Sequence, residues 1–279
     1  MRAHDIPMAA DGMPLERYMR RAYPLCDAAM LRRALAHRDF KQDGTRLNGS
    51  ARVRGGAHIE CFMADEYLLG APLEVLCREE RLAAVIKPAG LTCQRDAQGV
   101  GEDTLESRVR EMFGEAYLVN RLDHFTGGVM PIALDSAMRD AMTEAFAAHQ
   151  VEKVYVCQVT GAPKAAGERL VHYAIKSAEN SMVRVFDAPR PGALTMALSY
   201  EVIERGEVSR LRVHLETGRT HQIRAQLAHV GLPVLGDDKY GDRSANKAHG
   251  AAYQRLWCES VRFTAGICAG REFSSPAVF

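Results

Sequence analysis

The densest polar stretch of the chain is NRLDHFTGG, residues 120–128, and it lies between two apolar runs. The flanking runs, Tyr117–Val119 and Gly128–Leu134, have the composition of β-strands. A tight loop between two such strands places Asp123 at the edge of a sheet. A carboxylate in that position can be a nucleophile or a base if a cation holds it ionised. The segment alone also fits a local ion pair with aspartate as a turn former, so the rest of the chain has to be considered.

A second polar stretch is ETGRTHQIR, residues 216–224, which follows an apolar strand and opens a short helix. Gly218 permits a sharp entry into this helix. Arg219 and the first backbone N–H groups of the helix predict an anion site. His221 and Arg224 are three residues apart and project from the same side of a helix, so Arg224 can reach a carboxylate beneath it. An exposed cationic helix start is the alternative.

Composition excludes several classes of protein. The chain has 279 residues, of which 47% are hydrophobic and 25% are charged, as in packed proteins of one or two domains. Intrinsic disorder and collagen-like repeats are excluded. The longest apolar run, Leu82–Ile86, is far shorter than the ~18 residues of a membrane helix. Residues 1–11 lack the apolar core of a signal peptide, so we expect a cytoplasmic protein that does not enter membranes.

Cysteine and histidine spacing predicts neither disulfides nor metal. The seven cysteines are scattered, and no two form a C-x-x-C pair. His221 and His229 share the predicted helix, but ~12 Å of helical rise separates them. Gly99-Val100-Gly101 lacks the longer dinucleotide-binding fingerprint, and no Gly-x-Ser-x-Gly hydrolase motif occurs. We therefore expect a protein without a bound metal.

The hydrophobic periodicity predicts an α+β fold with a mixed or antiparallel sheet and flanking helices. Strands are predicted at 82–87, 117–119, 128–134, 153–159, 170–175, 182–186, 196–203 and 208–215. Helices are predicted at 14–21, 26–37, 104–113, 136–149 and 220–229. We expect a small N-terminal α+β domain at 11–65, a linker at 66–81 and a main domain at 82–279.

The N-terminal domain combines two basic helices with the turn signals Asp43-Gly44 and Asn48-Gly49 and short β-like pieces. Residues 11–65 carry ten Lys and Arg against seven Asp and Glu. This segment resembles the small RNA-binding domain first described in ribosomal protein S-four, although His58 stands where that family often has an acid. An unrelated α+β module is the alternative. The resemblance implies that the second helix and the following turn present basic side chains to structured RNA, namely Arg32, Arg33, Arg38 and Lys41.

The main domain contains an ordered set of motifs. They are Lys87-Pro88-Ala89-Gly90, Arg121-Leu122-Asp123, Lys153-Val154-Tyr155, GRTHQIR at 218–224, and Leu235-Gly236-Asp237 with Tyr240-Gly241. With these motifs, residues 80–279 resemble the RluA-type pseudouridine synthases. The resemblance implies an isomerase that detaches a uridine base in RNA from its ribose, turns it and rejoins it through a ring carbon. Such a reaction involves no redox change and needs no cofactor.

The resemblance also implies roles for particular residues. The family's catalytic aspartate corresponds to Asp123, its base-stacking tyrosine to Tyr155, and the arginine that pairs with the aspartate to Arg224. Physical requirements agree, because cleavage of a glycosidic bond builds positive charge on the sugar and a flipped base needs an aromatic platform. Supporting or RNA-binding roles are expected for Arg121, Thr126, Lys153, Arg219, His221 and Gln222.

The chain departs from the family pattern at Asn120, Gly127 and Ala225-Gln226, where histidine, serine and Val-His are usual. The N-terminal module favours ribosomal RNA over transfer RNA as the partner, and no required protein partner is evident. A transfer-RNA synthase, a non-catalytic RNA-binding relative and a hydrolase that uses Asp123 with a histidine are the alternatives. Retention of Asp123 argues against loss of catalysis, and the lack of a second catalytic carboxylate argues against hydrolysis.

Overall fold

The computed structural model describes residues 1–177 and 182–279. The chain forms two compact units. Unit 1 contains Met1–Glu74 and Gly90–Tyr117, and unit 2 contains Val75–Ala89 and Leu118–Phe279. These units differ from the boundaries predicted from sequence, because residues 90–117 belong with the N-terminal part. Within the described residues, no helix has the length and apolar character needed to cross a membrane.

Unit 1 is a small α+β body with a four-stranded sheet in the order β1-β4-β2-β3. Its elements are β1 Arg2–Asp5, a 3-10 turn Met8–Ala10, α1 Leu15–Ala22, α2 Ala28–His37, β2 Phe40–Gln42, β3 Thr45–Arg46, β4 His58–Cys61, α3 Asp65–Leu68 and α4 Leu105–Phe113. The N-cap Asp27 accepts from the backbone N–H groups of Ala29 and Met30 and so starts α2. The turn between β2 and β3 holds Asp43 and Gly44 at positive φ, as tight hairpins require.

The apolar faces of α1 and α2 pack on this sheet. Leu15, Tyr18 and Met19 of α1 are buried, and Phe40 of β2 is fully buried among them. The sequence prediction missed β1, although its four residues pair in register with β4. Residues 66–81, predicted as a linker, contain the last three residues of α3 and the whole of the next strand, Glu74–Arg78.

Unit 2 is built around a large sheet in the order β11-β10-β12-β13-β9-β14-β8-β6-β5, with β15 paired to β14. Its strands are β5 Glu74–Arg78, β6 Leu82–Lys87, β7 Tyr117–Leu118, β8 Gly127–Ala133, β9 Val151–Thr160, β10 Gly167–Lys176, β11 Val183–Phe186, β12 Leu194–Glu204, β13 Val208–Leu215, β14 Leu256–Phe263 and β15 Glu272–Ser274. Its helices are α5 Ser136–Ala147, α6 Gln222–His229 and α7 Arg243–Ala248. The predicted mixed α+β fold is confirmed, since β14 pairs parallel with β8 and antiparallel with β9. Helix α7 is not among the helices predicted from sequence.

The register of three adjacent strands brings the polar segments together. Gly128 of β8 pairs with Cys258 of β14, and Cys258 pairs with Tyr155 of β9. The loop before β8 therefore ends one strand away from β9, which carries Tyr155. All seven cysteines are free, as their scattered spacing predicted.

Candidate active site

The loop that carries Asp123 is anchored from beneath. Thr126 is buried, its backbone N–H donates to the Asp123 carbonyl at 3.1 Å, and its hydroxyl accepts from the Gln254 amide at 2.6 Å. The fully buried Lys87 ammonium donates to the carbonyl oxygen of His124 at 3.0 Å. Contacts from β6 and from the chain before β14 thus fix the backbone on the C-terminal side of Asp123. The side chain of Asp123 remains 27% exposed, so a ligand can reach it.

Arg224 is the centre of the charged cluster in unit 2. Its guanidinium donates to Asp123 Oδ2 at 2.9 Å, to both carboxylate oxygens of Asp237 at 2.6 and 2.9 Å, and to Asp238 at 3.3 Å. Its side chain is only 5% exposed, and that of Asp237 is fully buried. Burial lowers the pKa of Arg224, but hydrogen bonds and charge from Asp237 and Asp123 outweigh burial and raise that pKa. The arginine therefore stays charged beside Asp123.

Asp237 holds Arg224 in place. Its Oδ1 also accepts the backbone N–H groups of Lys239 and Tyr240, at 2.8 and 3.0 Å. Burial alone raises the pKa of Asp237, yet the hydrogen bonds and charge of Arg224, with the two N–H groups, bring it below its ordinary value. Asp237 belongs to a motif that the sequence analysis quoted, but no role was predicted for it.

Tyr155 of β9 is buried. Its register partner on the neighbouring strand β14 is Cys258, so the two side chains are on the same face of the sheet. Burial, the nearby Cys258 thiol with its hydrogen bond, and the charge of Asp123 all raise the pKa of Tyr155. The tyrosine is therefore neutral. Of the three residues for which catalytic roles were predicted, Asp123 and Arg224 are in contact at 2.9 Å, and the charge of Asp123 acts on Tyr155.

Three of the residues with predicted supporting roles are cations of unit 2, and they differ in burial. Lys153 is half-buried, burial lowers its pKa, and its ammonium lies 3.6 Å from the position that a side-chain carbon on Gly218 would occupy. A side-chain carbon at 218 would make only an ordinary contact with Lys153, which lies beside the loop before α6. Arg121 and Arg219 are exposed cations of unit 2.

A side chain of α6 itself accepts a hydrogen bond from the backbone of the loop that precedes the helix. Gln222 Oε1 accepts from the backbone N–H of Arg219 at 3.0 Å and from the Thr217 hydroxyl at 2.8 Å. This N–H of the loop before α6 is therefore not available to an anion. Gln222 is a buried structural amide, since its nitrogen donates to the Ala197 carbonyl at 3.0 Å.

A chain of amides continues from Gln222 to a histidine cluster. Gln222 Nε2 donates to Gln226 Oε1 at 3.0 Å, and Gln226 Nε2 donates to His172 Nδ1 at 3.1 Å. Sequence spacing did not predict that His172, Asp187 and His229 lie together, with potential ligand atoms within 4.8 Å of one another. Because His172 Nδ1 accepts a hydrogen bond, the hydrogen of the neutral ring is on Nε2. That nitrogen faces Asp187 at 3.7 Å and offers no lone pair to a metal, so we interpret the three residues as a hydrogen-bonded cluster.

The basic residues predicted to bind RNA lie in unit 1. Arg32 and Arg33 are exposed on α2, and Arg38 is the exposed C-cap of that helix. Lys41 lies over the ring of Phe62, with its ammonium 5.2 Å from the ring centre. These cations form an arginine-rich surface on α2 and the turn that follows it.

Comparisons with known proteins agree with this geometry. The sequence profile "RNA pseudouridylate synthase" matches residues 81–229, more than half of the chain. "tRNA pseudouridine synthase C" of Haemophilus ducreyi is 31% identical over 191 residues, covering 63% of this chain and 76% of the relative. "Ribosomal large subunit pseudouridine synthase D" of Xanthomonas campestris pv. campestris is 29% identical over 282 residues, covering 92% and 83%. "Ribosomal large subunit pseudouridine synthase C" of Rickettsia conorii is 26% identical over 253 residues, covering 82% of each chain.

The fold is also found among solved structures. "Human RNA Pseudouridylate Synthase Domain Containing 1" superposes with a TM-score of 0.63 at 21% identity, covering 73% of this chain and 83% of the human one. This likeness concerns the fold, and the sequence profile identifies the family. The chain with Asp123, Tyr155 and Arg224 in one cluster therefore belongs to the RNA pseudouridylate synthase family and is an isomerase that acts on RNA.

Proposed function

We propose that this enzyme converts uridine to pseudouridine in ribosomal RNA and that Asp123 is its catalytic carboxylate. The observation that carries the assignment to Asp123 is its contact with the buried Arg224, which Asp237 holds from the other side. Asp123 lies in the loop before β8. Although it contacts the buried Arg224, its side chain is still reachable from solvent. A fixed cation beside a reachable carboxylate is the arrangement that a developing positive sugar requires.

The reaction can be written with these groups alone. The N1–C1′ bond of the uridine breaks, and its electron pair stays on the uracil. The carboxylate of Asp123 stabilises or captures the positive C1′. The uracil turns, a C5–C1′ bond forms, the hydrogen on C5 leaves as a proton, and N1 takes up a proton. No electrons are gained or lost, so we propose that the enzyme needs no cofactor.

Tyr155 is proposed as the platform on which the base stacks. Its ring is buried beside Asp123, and its raised pKa keeps the hydroxyl protonated at neutral pH. Stacking of a base on an aromatic ring contributes ~1–3 kcal/mol. A neutral hydroxyl can also orient the turning base without adding charge next to Asp123.

Two observations support ribosomal RNA as the target. The relatives named for the ribosomal large subunit match 82% and 92% of this chain, so the similarity extends into unit 1, whereas the relative named for transfer RNA matches 63%. Unit 1 also carries the arginine-rich surface, which we propose is an S-four-type RNA-binding module. Such a surface adds phosphate contacts beyond the flipped base. A cytoplasmic location is part of the same proposal.

The test compares two RNAs and two proteins. Purified wild type and Asp123→Asn are incubated with ribosomal and with transfer RNA from a strain that lacks this enzyme, and pseudouridine is mapped by carbodiimide modification. We expect new pseudouridine in ribosomal RNA with wild type and none with the variant. Modification of transfer RNA alone would refute the choice of target. Full activity of Asp123→Asn would refute the catalytic assignment.

A further inference from the structure

His221 has a backbone conformation that residues with a side-chain carbon rarely adopt. Its φ is 51° and its ψ is 24°, in the left-handed region, at the N-cap of α6. N-cap residues usually place a side-chain acceptor on the first helical N–H groups, but the side chain of His221 makes no such bond. The helix therefore does not explain this conformation. Backbone strain of this kind concentrates at functional sites.

We assign the tautomer of His221 from two hydrogen bonds. The backbone N–H of Val183 lies 2.9 Å from the Tyr240 hydroxyl oxygen and can only donate, so that oxygen accepts. The hydrogen of the Tyr240 hydroxyl remains for a bond to His221 Nδ1, which lies 3.0 Å away. With Nδ1 as the acceptor of this bond, the neutral imidazole carries its hydrogen on Nε2. His221 is thus presented as a neutral ring with an Nε2–H donor.

The charged groups around the ring keep it neutral. Burial is the largest influence and lowers the pKa of His221 below its ordinary value. Arg224 and Lys239 lower it further, while Asp123 and Asp237 oppose them and raise it. A neutral imidazole does not form an ion pair with Asp123, so the carboxylate remains available to the sugar.

We propose that His221 is a further catalytic residue, which donates a hydrogen bond from Nε2–H to a carbonyl oxygen of the uracil bound beside Asp123. This inference rests on the proposed function. It follows from what the bond cleavage produces, because the electron pair left on the detached uracil spreads onto its carbonyl oxygens. All three guanidinium nitrogens of Arg224 already donate to carboxylates, and these bonds use four of its five N–H groups, so His221 offers those oxygens a donor that is not bound to a carboxylate. Tyr240 is a positioning residue that acts through His221.

The test separates the donor from the backbone conformation. In His221→Asn the side chain tolerates positive φ and its Oδ1 can accept from Tyr240, but no group takes the place of Nε2–H. In His221→Gln the amide nitrogen can reach the place of Nε2. Loss of one preorganised donor to a developing anion lowers kcat about 100- to 1,000-fold. We expect a loss of that size in His221→Asn with RNA affinity unchanged, and a smaller loss in His221→Gln.

The assay is release of tritium from RNA labelled at C5 of uridine, since formation of the C5–C1′ bond displaces that hydrogen. RNA affinity is measured separately by filter binding. A His221→Asn enzyme with the kcat of wild type would overturn the proposal, and so would a His221→Gln enzyme that is no more active than His221→Asn. Failure of wild type itself to release tritium would instead refute the proposed function.

Tyr240→Phe gives an independent readout. The change removes the bond that favours neutral His221, so we expect the acid limb of the kcat–pH profile to move to higher pH. The matched control is Tyr200→Phe on β12. It likewise removes a tyrosine hydroxyl, which donates to the Glu168 carboxylate at 3.2 Å. The control should keep the wild-type profile. An unchanged acid limb in Tyr240→Phe would count against the proposed fixing of the tautomer.

Discussion

Replacing Arg224 with methionine should reverse the way in which the contribution of one buried carboxyl, that of Asp237, to the free energy of unfolding changes with pH. Methionine fills much of the same volume but removes the charge that faces Asp237. The guanidinium makes two hydrogen bonds with Asp237, at 2.6 and 2.9 Å, in a fully buried position. Breaking a buried pair by removing one partner costs about 3–5 kcal/mol, since it leaves an unpaired buried charge. We expect a loss of that size in the free energy of unfolding of unit 2 at pH 8.

The sign of the pH effect follows from the pKa of Asp237. In wild type that pKa lies below its ordinary value. The stabilisation from a lowered pKa is complete above the unfolded-state pKa of about 4 and is lost as pH falls through the native pKa. Without Arg224, burial dominates and raises the pKa of Asp237, so the variant loses stability as pH rises from about 4 through the raised value. The difference between variant and wild type should therefore be larger at pH 8 than at pH 5.

The assay uses the single tryptophan of the chain, Trp257, which is buried in β14 and reports on unit 2. Urea unfolding is followed by its fluorescence at pH 5 and at pH 8. Arg169→Met is the matched control, because Arg169 makes a bidentate pair with Glu216 at 2.8 and 2.7 Å, but on the surface. The control should lose far less stability than Arg224→Met. Adding Asp237→Asn to Arg224→Met removes the unpaired charge and should restore stability at pH 8. A loss in Arg224→Met that is equal at both pH values would refute the reasoning.

Three further predictions concern activity. Asp123→Asn should retain RNA affinity but form no pseudouridine, because the amide keeps the shape of the side chain and removes its charge. Filter binding measures the affinity and tritium release measures the product, and substantial product would contradict the role of Asp123. Tyr155→Phe should keep most activity and Tyr155→Leu should lose most of it, since stacking contributes ~1–3 kcal/mol; equal kcat/KM values for the two variants would exclude a stacking platform. Replacing Arg32, Arg33 and Arg38 together with alanine should reduce the slope of log affinity against log salt concentration by up to about 1 for each lost phosphate contact. Arg139→Ala is the control, and an unchanged slope in the triple variant would argue against RNA binding by α2.

Local sequence predicted the elements whose signals are local. The bounds of β13, Val208–Leu215, are as predicted, because Leu211, Val213 and Leu215 alternate with polar residues. Helix α4 starts one residue after Thr104, the predicted first residue of the helix, which caps it in a reciprocal capping box with Ser107. The signal and the structure lie within a few residues of each other in both cases.

The missed elements depend on partners that are distant in sequence or have no apolar period. Strand β1 has four residues that alternate between half-buried and exposed, and it exists because it pairs with β4 more than fifty residues later. Helix α7 has no buried residue, so the hydrophobic pattern carries no trace of it. Its N-cap Asp242, which accepts from two backbone N–H groups, was the available signal.

The site was predictable as a set of motifs but not as a geometry. The order of the motifs identified Asp123 and Arg224, which are 101 positions apart and meet at 2.9 Å. The bond from Gln254 to Thr126 spans 128 positions, and neither residue shows a local pattern that requires the other. The same holds for Tyr240 and His221, whose mutual orientation depends on a backbone N–H of β11.

Two of the departures from the family pattern, Gly127 and Gln226, belong to the packing beneath the site. A side-chain carbon on Gly127 would lie 2.6 Å from the ring of Trp257, so glycine at 127 is required by the tryptophan on the neighbouring strand. Gln226 is fully buried and donates to His172, which makes it part of the amide chain that fastens α6 to the sheet. Both changes are compensated by neighbours, and both leave the contact between Asp123 and Arg224 intact. We therefore propose that selection among RNA targets comes from groups that RNA can touch, such as the exposed Arg121 and Arg219 of unit 2, rather than from these two buried substitutions.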